Sequence, residues 1–210
     1  MTTDEASPRK RDRASADRII EAAEDLFGRL GLDGPSMRQI QLAAGSSNKY
    51  AVQYHFGGIA GLVEAILARR MPVVDAAQAG LLDQIEAAGR VDDVGALLDA
   101  FFRPLLGQAN SQGGHNYARF LSATLVSEEG ERHFQAMLYL APTTGAILQH
   151  LRAAIPHVSA DRLARRLRLI TGMVCTSMFS ANPKMVCEKE AAIQIEDTLK
   201  VATAGLCAPS

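Results

Sequence analysis

The chain has 210 residues, 48% of them apolar, and a formal net charge of −1. That length and apolar content suffice for one or two domains with a sizeable core, while the balanced charge excludes a protein that coats nucleic acid over its whole surface, so any DNA contact must come from local charge. Cys175, Cys187 and Cys207 are odd in number and fall late in the chain, a pattern of free thiols in a reducing cytosol rather than of a disulfide framework.

Residues 1 to about 14 are polar, mixed in charge and contain Ser7-Pro8, and they read as a disordered arm rather than a signal peptide. Arg9, Lys10, Arg11 and Arg13 make this arm basic, and such an arm can lie along DNA, including in its minor groove. Ser15 or Asp17 is placed to cap a first helix. Its stripe is Ile19, Ile20, Ala23, Leu26, Phe27 and Leu30, opposite a charged face of Asp17, Arg18, Glu21, Glu24 and Asp25. Gly31 and the turn Asp33-Gly34-Pro35 end it.

Residues 36–56 read SMRQIQLAAGSSNKYAVQYHF. Ser36 and Gln39 form a capping box, Met37, Ile40 and Ala44 share a helical face, and Gly45 stops the helix. Ser46, Ser47 and Asn48 are cap residues for a short second helix over about 48–54. Two short helices joined by a tight glycine turn make a helix-turn-helix. From residue 34 to 63 there is no acid, while Arg38, Lys49 and His55 are present, as a phosphate-facing surface requires. In such a reading Lys49 and Tyr54 contact phosphates, Asn48, Tyr50 and Gln53 face base edges, and Ser46, Ser47 and His55 lie within the same surface.

Gly57 and Gly58 close that helix. A long helix follows from Ile59 with Leu62, Val63, Ile66 and Leu67 inward and Arg69 and Arg70 outward, and Pro72 predicts a kink or break in it. The domain boundary falls there, giving segments 15–72 and 73–210. Beyond it the pattern is helical throughout, with Asp92 or Asp93 as a cap, Pro104 near a helix end, a loop over 110–114, and a break near Pro142. Alternating strand-like runs are absent, so the chain reads as all-α. The helix over 159–181 carries apolar groups beyond one stripe, since Leu169, Met173 and Phe179 leave it, and such a helix needs a second partner. It is expected to pair, together with the helix over 188–206, with a second copy of the chain. The expected interface residues are Leu163, Leu167, Ile170, Val174, Ile195, Leu199 and Ala202.

The region 15–70 resembles the DNA-binding domain of TetR-family transcriptional regulators. The resemblance rests on the opener IIEAAEDLFGRLGLDGPSMRQI, the turn AAGSS and the closing Tyr54-His55-Phe56 before a long helix. The chain departs from the family in a turn one residue longer and in Gly57-Gly58-Ile59, where a phosphate-binding Lys is common. The rest matches only in length and helical character. The resemblance implies a regulator, with a repressor released from double-stranded operator DNA by a small ligand as the expected form. It also implies a homodimer and a mostly apolar pocket in the larger domain for an apolar or amphipathic molecule. Phe101, Phe102, Phe120, Met137 and Met173 are candidate walls, and His115, Tyr117 and Thr171 candidate polar groups.

No apolar run reaches membrane-spanning length, and a cytoplasmic location is expected, with no membrane partner. His133, His150 and His157 lack partners at metal spacing, and no phosphate loop or nucleophile elbow occurs. No enzyme activity, catalytic residue, metal or cofactor is therefore expected. The rival readings are a thiol-based redox sensor that binds DNA, with Cys187 between Lys184 and Lys189, and an enzyme on a helical scaffold using His115, Tyr117 or Cys175.

Overall fold

The computed structural model describes residues 8–108, 116–180 and 188–209, and their regular structure is entirely α-helical. In chain order the helices are α1 (Pro8–Leu30), α2 (Met37–Ala43), α3 (Ala51–Phe56), α4 (Ile59–Ala87), α5 (Val94–Leu106), α6 (Asn116–Val126), α7 (Gly130–Leu140), α8 (Pro142–Ala154), α9 (Ala160–Ser180) and α10 (Glu188–Cys207). α1, α2 and α3 form a small cluster against the first half of α4. α4 continues among α5, α7 and α8, α6 packs on both α1 and α9, and α10 packs on α9 and α5. None of these helices is long and apolar enough to cross a membrane. The expected loop over 110–114 lies outside the described residues.

Two helix boundaries correct the sequence reading. α1 starts at Pro8, so residues 8–14 are helical and not a disordered arm, and Ser15 and Asp17 sit inside the helix instead of capping it. Proline is preorganised for the first helical position, and Arg, Lys and Ala extend an existing amphipathic helix without a new nucleation step. α4 runs unbroken through Pro72. Proline removes one donor and crowds the preceding turn, but Leu67 and Met71 before it and Val74 and Gln78 after it are buried on one continuous stripe. Tertiary packing holds the helix where local chemistry predicts a break.

Other signals place elements as read. Of the two possible caps for α5, Asp93 is used: its carboxylate accepts from the Ala96 N–H at 3.0 Å. That bond, and then Arg90, hold its pKa below the usual carboxylate range. Pro142 opens α8 directly after α7. At the far end of the chain, Arg166 on α9 donates to the carbonyls of Leu206 and Ala208, both at 2.7 Å. These include the orphan acceptors that every helix C-terminus leaves, so α9 and α10 are fastened together at that end.

Candidate nucleic-acid interface

The α2–α3 unit is built by local hydrogen bonds. Ser36 Oγ accepts from the Gln39 N–H at 3.3 Å, and Gln39 Oε1 accepts from the Ser36 N–H at 2.8 Å, completing the capping box. α2 ends with Gly45 at φ +64°, a left-handed conformation that side chains resist. There the Ser46 N–H reaches back to the Gln41 carbonyl and the Gly45 N–H to that of Leu42, closing a Schellman turn. The next helix starts at Ala51, later than the expected 48. Asn48 uses its side chain before the helix, where Oδ1 accepts from the Tyr50 N–H at 3.0 Å, as Asn does in an Asx-turn. A buried residue that the sequence pattern did not single out fixes the turn: Gln41 Nε2 donates to the Lys49 carbonyl at 2.7 Å.

This construction sorts the expected DNA-facing residues. Arg38, Ser47, Asn48, Lys49, Tyr50, Gln53 and Tyr54 are exposed, while Ser46 and His55 are half-buried. Ala51 and Val52 turn inward. The Lys49 ammonium lies 5.0 Å from the Tyr50 ring centroid, a cation–π arrangement. His55 Nε2 lies 3.6 Å from the Asp12 carboxylate of α1, so its ring faces the α1 start. Arg13, beside Asp12, is exposed there. The side chains of Arg9, Lys10 and Arg11 lie outside the described residues.

Behind this surface sits a buried polar junction. Glu24, expected on the charged outer face of α1, is 1% exposed. Arg70, also expected outside, holds it in a fork: Nε to Oε2 at 2.8 Å and Nη2 to Oε1 at 2.7 Å. Burial acts to lower the Arg70 pKa, but the hydrogen bonds and charge of Glu24 outweigh it, and the net shift is upward. Both expectations are corrected by register, because Ile20, Glu24 and Phe27 share one helical face, as do Leu67, Arg70 and Val74. The Arg70 guanidinium lies 5.7 Å from the Tyr117 ring centroid, and the Tyr117 hydroxyl donates to Met71 Sδ at 3.0 Å. Burial, then Glu24, raises the Tyr117 pKa. At Gly28 an added Cβ would stand 2.8 Å from Arg119 Cβ, so α1 and α6 cross in close contact. Asn116 Nδ2 donates to Asp25 at 2.9 Å beside that crossing.

Of the expected ligand-binding residues, Phe101, Phe102, Tyr117, Phe120 and Met137 are buried, Thr171 is half-buried with its hydroxyl donating to the Leu167 carbonyl at 2.8 Å, and Met173 is exposed. His115 lies outside the described residues. Tyr117 and Phe120 stack 6.0 Å apart, and Phe120 meets Phe27 of α1 at 6.3 Å, so this pair faces the α1 junction. Sequence reading missed Gln78 and Thr144. Gln78 is fully buried on the α4 stripe, where its amide donates to the Phe101 carbonyl at 3.0 Å and accepts from the Thr144 hydroxyl at 2.7 Å. A groove of about 460 Å³ lies between α5 and α10, lined by residues that include Asp99, Arg103, Leu199 and Thr203 and by none of the expected ligand residues.

Of the expected dimer residues, Leu163, Ile170, Val174, Leu199 and Ala202 are buried within the single chain, and Leu167 and Ile195 are half-buried. Among the described residues, the large apolar side chains that α9 and α10 expose are Leu169, Met173, Ile193 and Val201. Cys175 is buried, which pushes its thiol pKa up to about 12, so it is not the low-pKa thiolate that redox sensing or nucleophilic chemistry uses. Burial also raises the Cys207 pKa, and Cys187 lies outside the described residues. Among the described residues no three His, Cys, Asp or Glu side chains are grouped to hold a metal.

The family profile described as "Tetracyclin repressor-like, C-terminal domain" matches residues 99–205. Among solved structures, the chain is similar to a Mesorhizobium loti MAFF303099 protein assigned to the TetR-family transcriptional regulators. That likeness has 17% identity and a TM-score of 0.46, and it covers 92% of this chain and 97% of that one. No curated protein matches the chain significantly.

Proposed function

Because this chain belongs to the TetR family of transcriptional regulators, we propose that it is a dimeric repressor that binds double-stranded operator DNA through α2 and α3 and leaves it when a small apolar or amphipathic molecule binds the helical domain. The observation that carries the DNA reading is the surface of that unit. It presents Arg38 and Lys49 beside neutral polar groups, with no acid between residues 34 and 63. Lys49 and Tyr54 meet phosphates, and the remaining exposed residues of the turn and α3 face the bases. The domains divide near Pro72, and α4 is the element common to both.

The effector site is proposed in the interior of the helical domain, among Phe101, Phe102 and Met137, with the buried Gln78–Thr144 pair as neutral polar partners. Glu24, Arg70 and Tyr117 join α1, α4 and α6, so a shift of α4 on effector binding would be felt by the DNA-binding unit. A coupling of about 1–3 kcal/mol changes DNA affinity roughly 5–150-fold, which is enough to switch a promoter, and it is reciprocal. The test is binding of the purified chain to the DNA upstream of its own coding sequence, with and without candidate effectors. Retention that an effector weakens supports the reading. Retention that no effector alters removes the release step, and absence of retention removes the repressor.

A further inference from the structure

In the major groove guanine is read mainly by Arg or Lys, whose donors match O6 and N7. Adenine is read by the bidentate amide of Asn or Gln at N6 and N7, and the thymine methyl by apolar contact. The exposed side chains of the turn and α3 are Ser47, Asn48, Lys49, Tyr50, Gln53 and Tyr54, so these two segments expose two amides and no Arg, the unit's exposed Arg38 lying on α2. The geometry separates the amides. Asn48 has committed its oxygen to the Tyr50 N–H at 3.0 Å, and reading adenine with both groups would dismantle the turn. Gln53 lies within α3, is exposed, and its side-chain amide makes no hydrogen bond among the described residues. Both its donor and its acceptor are open. Tyr50 stands three residues before it, on the same side of the helix. Tyr50 is 63% exposed, and the Lys49 ammonium lies over its ring.

We propose that the half-site is read as adjacent A·T pairs: Gln53 bonds bidentately to an adenine, and the Tyr50 ring packs against a thymine methyl. This rests on the DNA-binding reading above and adds the base composition that the surface selects. The test is selection of the full-length chain on a random duplex library, followed by single-atom changes in the selected half-site. Selected sites should carry two adjacent A·T pairs. Replacing the critical adenine by 7-deazaadenine, which lacks N7, should lower affinity about 5–150-fold, and uracil in place of the thymine should also lower it. Gln53→Ala should abolish sensitivity to 7-deazaadenine, and Tyr50→Ala sensitivity to uracil. Selection of G·C pairs at these positions, or indifference of the wild-type protein to 7-deazaadenine, would overturn the proposal while leaving DNA binding intact. Failure to retain any duplex at low salt would remove both.

Discussion

Arg70→Ala is expected to destabilise the protein by about 3–5 kcal/mol, because it leaves Glu24 buried without its counter-charge. The Glu24 side chain is 2% exposed and that of Arg70 14%, with their atoms 2.7 Å apart, so solvent screening that reduces surface pairs to a fraction of this value does not apply. The guanidinium also covers the Tyr117 ring, so its loss removes packing at the α1–α4–α6 junction. Replacing both partners by apolar groups of similar size, Glu24→Leu with Arg70→Met, should recover most of the loss, since an ion pair often breaks even against a hydrophobic pair. Urea unfolding measures both. The single variant should lower the midpoint with little change in slope, and a loss under about 1 kcal/mol would show that the pair is solvated in solution.

The second large effect concerns the proposed dimer. Leu169→Arg places a charge on an α9 side chain that is 75% exposed in the single chain, so it should leave the protomer folded while making its burial against a second copy costly. Sedimentation should then show monomers. Specific DNA affinity should drop from the range of about 10⁻⁸–10⁻¹¹ M to the non-specific range of about 10⁻⁴–10⁻⁶ M, because one recognition unit replaces two. Ile170→Arg is a poorer probe: Ile170 is buried within the chain, and the variant is expected to unfold. A Leu169→Arg protein that stays dimeric at micromolar concentration would move the interface away from this face.

The helix-turn-helix was legible because its signals are local. A capping box, a glycine stop and a run without acids can each be read within a few residues. The all-α character followed from periodicity, and the family profile over 99–205 covers the part of the chain where residues gave only that. Pro72 was misread because a proline signal is local while the packing that overrides it comes from other helices. Glu24, Arg70 and Gln78 were missed by residue type. Charged and amide side chains read as surface, yet each lies in register with an apolar stripe, and register was the better guide. The interface residues show the converse. Leu163, Ile170 and Val174 were expected at the interface because α9 carries apolar groups beyond one stripe, but these three are buried in the protomer's own core. Among the described residues, the exposed apolar groups of α9 off that stripe are Leu169 and Met173, and the proposed dimer would use them.

The most direct measurement of the central claim is equilibrium binding of the chain and of Lys49→Ala to duplex DNA between about 50 and 200 mM salt. The account predicts that log K falls linearly with log salt, since each phosphate neutralised releases condensed counterions. It further predicts that Lys49→Ala weakens binding to every sequence tested and flattens the slope by about one unit. DNA affinity that is absent, or that is indifferent to salt and to Lys49, would contradict it.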